Sequence, residues 1–184
     1  MKNSIAVSLV VLLSAMGISA CGGSRSVRDT ETRAPTIITD ADGNTEQIET
    51  TRSLTTHTVV LEMPMETAYR RLLAAYDVLG IEANAMSERE RFVGARNLRL
   101  RRRLGNRRLS TLLNCGAGMT GPNADQYEIT LSIISELRPA GTAATQLTSR
   151  IDATARPMGV SGNTVYCSTT GRLETEIAET VEGD

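Results

Sequence analysis

The sequence predicts one α+β domain: an antiparallel sheet with two helices packed on one face, in the order β-α-β-β-β-β-α, carrying one disulfide. Residues 127–133 and 147–155 alternate apolar and polar side chains on either side of the turn sequence Arg138-Pro139-Ala140-Gly141, the pattern of an antiparallel hairpin. Residues 64–79 and 173–181 instead repeat apolar side chains at helical spacing. The 184 residues are 40% hydrophobic, enough for one modest core and short of two large domains.

The folded domain is expected over residues 56–184. His57 to Met63 opens it as a strand, with Val59, Leu61 and Met63 on one face and Thr58, Val60 and Glu62 on the other. Pro64 sits where a helix accepts proline. Ala68, Leu72, Ala75 and Leu79 then form one apolar stripe, so a helix spans 64–79, with Glu66 and Arg70 as an outer i,i+4 pair and Gly80 as its cap. Ile81–Met86 and Arg91–Arg96 read as short strands around a polar turn, and Leu98–Leu104 as a third strand ended by Gly105-Asn106. Leu109–Asn114 fits either a helical turn or a strand. Residues 115–123, rich in glycine, read as a loop. In the hairpin, Tyr127, Ile129, Leu131 and Ile133 share one face, as do Leu147, Ser149, Ile151, Ala153 and Ala155. Thr164–Cys167 is a short strand. Leu173, Ile177 and Val181 line the last helix, with Thr169 or Thr170 as its N-cap.

Upstream of the domain the chain reads as an address. Lys2 is a positive n-region and Ile5 to Met16 an uncharged apolar h-region, too short and wrongly flanked for a spanning helix. Ile18-Ser19-Ala20-Cys21 resembles the lipobox of bacterial lipoproteins, with isoleucine where leucine is commoner. The resemblance covers about twenty residues and implies a signal peptide over 1–20 and a diacylglyceryl thioether on Cys21, the mature N-terminus, a stable membrane anchor once several acyl chains are present. Gly22 follows Cys21, so the aspartate that retains such proteins in the inner membrane of enteric bacteria is absent; the resemblance points to the outer membrane, facing the periplasm. Residues 21–55 are then the lipidated N-terminus and a flexible tether: hydrophobic residues are scattered without period, and Thr36-Ile37-Ile38-Thr39 is at most a transient strand. Thirty-odd residues would reach about 30 Å. The order of elements in residues 57–184 resembles, in topology alone, the helix-grip domains of BamC-type outer-membrane assembly lipoproteins; that likeness carries no function.

With Cys21 set aside, Cys115 and Cys167 remain, and an even pair in an exported chain reads as a disulfide. A reactive thiol or a two-cysteine metal site are the alternatives; a thiol nucleophile needs a base, and the single histidine lies far away in sequence.

Charge is nearly balanced, net −1, but sorted along the chain. Residues 89–108 hold nine arginines against one acid, Glu90, whereas residues 109–184 hold four against nine acids. Three readings compete: a solvated sheet face, pairing of the arginine-rich strands with the acidic last helix, and an anion site. For the last, Arg99, Arg101, Arg102, Arg103, Arg107 and Arg108 are the candidates, because guanidinium forks bind phosphates and carboxylates bidentately. Nucleic acid is not expected as a partner: the domain is not net basic, lacks aromatics beside the arginines and is expected to be exported.

No catalytic or metal site and no cofactor are expected. A Ser-His-Asp triad would have to use His57, read as an exposed histidine at the domain edge. Gly159-Val160-Ser161-Gly162 lacks the Gly-x-Ser-x-Gly spacing, and Gly116-Ala117-Gly118 lacks the strand and helix of a phosphate loop. Asp125, Glu128 and Asp152 are carboxylates that nothing in the sequence pairs. Aromatics are only 3%, which argues against a large aromatic-walled pocket. Two functions follow as expectations: a non-enzymatic envelope module that docks a partner protein through a sheet edge or face, or a lipoprotein that holds an anionic lipid or glycan through residues 96–108.

Overall fold

The strands are joined by antiparallel pairing throughout. A computed structural model describes residues 26–39, 45–158 and 163–183; the signal peptide expected over 1–20 and Cys21 lie outside them. The elements in chain order are β1 (Ser26–Thr39), β2 (Thr45–Leu61), α1 (Met65–Val78), β3 (Ala85–Ser87), β4 (Phe92–Arg101), β5 (Arg103–Leu104), β6 (Arg107–Arg108), α2 (Leu109–Leu112) and β7 (Leu113–Asn114). There follow β8 (Ala117–Gly118), β9 (Gly121–Pro122), α3 (Asn123–Gln126), β10 (Glu128–Pro139), β11 (Thr145–Arg156), β12 (Val165–Thr169) and α4 (Arg172–Glu182).

The main sheet runs β1-β2-β11-β10-β4-β5-β6, with β3 beside β4 and β12 beside β11. The β10–β11 hairpin is its centre, in register from Glu128↔Arg156 to Pro139↔Thr145. Period-2 patterning sets its faces: Ile129, Leu131, Ile133 and Leu137 of β10 and Leu147, Ile151, Ala153 and Ala155 of β11 are buried. Over this face lie α1 and α4, which contribute Ala68, Leu72, Ala75, Tyr76, Leu173, Ile177 and Val181 to the same core. The α+β fold with its two long helices therefore stands, joined by two single-turn helices, α2 and α3. Leu109–Asn114, which the sequence left between helix and strand, is one followed by the other.

Differences from the sequence reading have local causes. Ile81–Ala83 are not strand; pairing with β4 begins at Ala85. The two strands expected over 91–96 and 98–104 merge over Phe92–Arg101 into one, β4, interrupted by a bulge, and Arg103–Leu104 turn back as β5. Leu131 faces Leu98 and Ile133 faces Ala95, so two residues of β4, Arg96 and Asn97, oppose Ser132 alone. Asn97 takes φ 54, and its backbone N–H donates to Ser132 Oγ at 3.1 Å. Because side chains alternate, the extra residue switches parity. Val93 and Ala95 face the core before the bulge, Leu98 and Leu100 face it afterwards, and Arg99 and Arg101 are turned to the uncovered face. Glu66 pairs with Arg91 at 2.9 Å rather than with Arg70.

The flexible tether expected over residues 21–55 gives way to paired strand over 26–39 and 45–55: β1 and β2 are in register from Ser26↔Thr58 to Thr39↔Thr45. These segments are rich in threonine, which favours extended backbone without needing an apolar period. The periodicity test detects a buried face and passes over a ribbon held by backbone pairing. β2 lies against β11 only over Thr56 to Leu61; beyond that, β12 takes the place beside β11, pairing Ala153–Ala155.

Candidate functional site

The arginine segment does not form one site; its backbone distributes the side chains. After β4 the chain reverses at Arg102, which has φ 64, and β5 turns into β6 through Gly105-Asn106. Gly105 has φ 56, and a Cβ there would lie 2.8 Å from the Leu79 carbonyl oxygen, so the end of α1 packs directly on this turn. Arg107 thereby reaches Glu176 of α4, and Arg101 reaches Glu128 at 3.0 Å. Arg99 lies on the uncovered face near Glu128. The Arg101 hydrogen bond, with the nearby charges of Arg101, Arg99 and Arg156, holds the Glu128 carboxyl below its usual range. Internal pairing with the last helix, one of the three sequence readings, thus accounts for Arg107.

Arg102, Arg103 and Arg108 converge instead on an open cleft of about 670 Å³, completed by Thr120, Pro122, Asp125 and Gln126. Arg108 pairs with Asp125 at 3.2 Å, and Asp125 is held by the Ser110 backbone N–H and hydroxyl at 3.0 and 2.7 Å. Arg103 donates to the Asn106 carbonyl oxygen at 2.7 Å. Arg102 is exposed and makes no ion pair among the described residues. Three guanidinium groups therefore share one carboxylate, which leaves a net positive cleft able to hold an anion.

The far wall of the cleft is a part the sequence reading passed over as loop. β8 and β9 form a small hairpin with Met119 and Thr120 at its tip, and Met119 is fully exposed. The Gly118 and Gly121 that bracket two residues were the available signal. Cys115 and Cys167 are bonded, with Cα atoms 4.2 Å apart, which fixes the base of this hairpin to β12. Asn123 donates from its backbone N–H to the Gly116 carbonyl and from its amide to the Cys115 carbonyl, both at 3.0 Å.

His57 is a correction. It is 6% exposed, not an open edge histidine, because β1 continues the sheet outside β2. It lines a second cavity, of about 530 Å³, with Thr170–Arg172, Thr175, Glu176 and Glu179. Its register partner Ser149 belongs to a buried polar row: Ser149 and Ser135 hydroxyls lie 2.9 Å apart, and Tyr76 O–H lies 3.0 Å from Ser135 Oγ and 3.1 Å from the Val93 carbonyl oxygen. Burial raises the Tyr76 phenol well above its ordinary value, so it stays a neutral donor. The row satisfies its own groups and ties α1 to three strands.

Glu174, in the first turn of α4, is fully buried. Thr169 O–H donates to its Oε2 at 2.9 Å, and Thr169 Oγ accepts the Gly171 N–H at 3.0 Å, so Thr169 braces the helix start while Gly171 is the N-cap residue. Glu174 Oε1 has no hydrogen-bond partner among the described residues. Burial pushes its carboxyl up, outweighing the Thr169 bond. A raised folded pKa stabilises the fold below the unfolded carboxylate value of 4.5, and that stability is lost as pH rises through the folded value. Glu174→Gln should therefore flatten the loss of stability between pH 4.5 and about pH 8. Denaturant titrations of both forms at the two pH values check this; an unchanged pH slope would count against it.

Among the described residues, no group of three or more histidine, cysteine, aspartate or glutamate side chains could hold a metal ion, and no helix is long and apolar enough to cross a membrane. No family model, curated protein or solved structure matches the chain.

Proposed function

We propose that this protein is a non-enzymatic, lipid-anchored lipoprotein of the cell envelope, held through Cys21 in the outer membrane and facing the periplasm. There it acts as an interaction module that docks a partner protein along the edge of its sheet. The observation that carries this reading is β1. It is fourteen residues long and pairs only with β2 among the described residues, so its other side presents a row of backbone donors and acceptors. Such an edge accepts an added strand; Pro35, which lacks an N–H, limits the open run. The lipobox and the disulfide support the exported setting. Photocrosslinkers at Thr30, Thr32 and Thr36, with Arg70 on α1 as the reference position, test it in the native envelope. The expected result is a discrete protein adduct from β1 and none from position 70; equal labelling from both, or no protein adduct from β1, overturns it.

A second reading is favoured by the Arg102–Arg103–Arg108 cleft: the protein holds an anionic lipid or glycan there. Binding would then weaken steeply with salt, which docking along a backbone edge should survive.

A further inference from the structure

We propose that the arginine cleft and the Met119 tip together form a membrane-contact site for the phosphate layer of an anionic bilayer. The proposal rests on the second reading and names its ligand class and its depth-reporting residue.

Two short hairpins flank the cleft. One carries Arg102 at the β4–β5 reversal and Arg103 beside it; the other carries Met119 and Thr120 between β8 and β9. Arg102 and Arg103 pair with no carboxylate among the described residues, and Arg108 stays 67% exposed beside Asp125. Guanidinium groups on a projecting turn suit headgroup phosphates, whose two non-bridging oxygens can accept a bidentate pair at the bilayer surface. Met119, with a relative exposure of 107%, projects beside them as an apolar side chain with no protein surface to cover it. Its hairpin is not a loose loop, because the Cys115–Cys167 bridge and both Asn123 hydrogen bonds fix its base. A rigid apolar tip next to unpaired arginines is the arrangement that seats a surface protein at an anionic interface. The tip enters the acyl boundary while the cations stay at phosphate level.

The chain has no tryptophan, so Met119→Trp introduces a single indole reporter. Met86→Trp is the reference. Met86 is 52% exposed and pairs with Val93, about 26 Å along β4 from Arg101. The full chain is reconstituted in phosphatidylcholine vesicles and in mixed phosphatidylcholine–phosphatidylglycerol vesicles, both with brominated acyl chains, so the N-terminal attachment is the same in every sample. The expected result is a blue shift and several-fold stronger quenching of the indole at position 119 in the mixed vesicles only, with position 86 unchanged. High salt, or Arg102→Gln with Arg103→Gln, should remove it. Arg102→Gln alone, at a side chain with no ion pair to lose, should reduce it and guards against misfolding of the double variant. Equal quenching in neutral vesicles, equal quenching at position 86, or quenching that survives salt and both substitutions overturns the proposal. So does an unquenched indole. In that last case a glucose 1-phosphate titration that still raises the Tm, and fails to in Arg102→Gln, leaves the ligand-binding reading standing and removes the bilayer alone.

Discussion

Replacing Cys115 and Cys167 together by alanine should cost about 2–4 kcal/mol. The bridge joins positions 52 residues apart and ties the base of the Met119 hairpin to β12, which leads directly into α4. Chain entropy for a loop of that length gives about 4 kcal/mol, and native-state adjustments commonly reduce it. Both sulfur positions are buried, so alanine leaves little new polar surface. Denaturant unfolding checks it, with reductant added to the parent as a second arm. Reductant should bring the parent to the double variant's stability and leave the variant unchanged. A parent unaffected by reductant would sink the prediction, and thiol trapping that recovers the native protein in reduced form would count against export.

Gly105→Ala should destabilise the domain by about 2–4 kcal/mol, for two separable reasons. A φ of 56 is the left-handed region, which costs a side-chain-bearing residue roughly 1–2 kcal/mol. The new Cβ would also stand 2.8 Å from the Leu79 carbonyl oxygen, a backbone atom at the end of α1 that cannot simply rotate away. Gly171→Ala isolates the first cost, since Gly171 has φ 80 and nothing within 4 Å of its Cβ position. The melting temperature of Gly105→Ala should fall well below that of Gly171→Ala; equal losses would show that the close approach to α1 contributes nothing. Because this contact seats the β5–β6 turn, its loss should also weaken the Arg107–Glu176 pair and open the cleft.

The covered half of the fold was legible in the sequence. Leu173, Ile177 and Val181 on α4, the stripe on α1 and the alternation in β10 and β11 all describe one face of one element, and hydrophobic periodicity is a local property. The β1–β2 ribbon was missed because backbone pairing in a threonine-rich strand leaves no apolar period to detect. The candidate site was half legible. Arginine density marked residues 89–108, and the cysteine pairing rested on their number and on the expectation of export. Neither signal could sort six candidate arginines into three that line a cleft and three that do not.

The sequence by itself determined the apolar faces of β10, β11 and the two long helices, where those helices run, and that two cysteines remain to pair if the chain is exported. Those follow from local spacing and from counting. Only the tertiary structure decided the fate of the charges. One extra residue at Asn97 inverts which side of β4 faces the core, and the reversal at Arg102 then parts neighbouring arginines: Arg107 goes to α4, while Arg102, Arg103 and Arg108 turn to the cleft. The burial of His57, beside the first turns of α4, and of Glu174, braced by Thr169, is likewise set by tertiary contacts. Which partner a polar side chain meets depends on strand order and on contacts between residues far apart in the chain, and no local pattern encodes those.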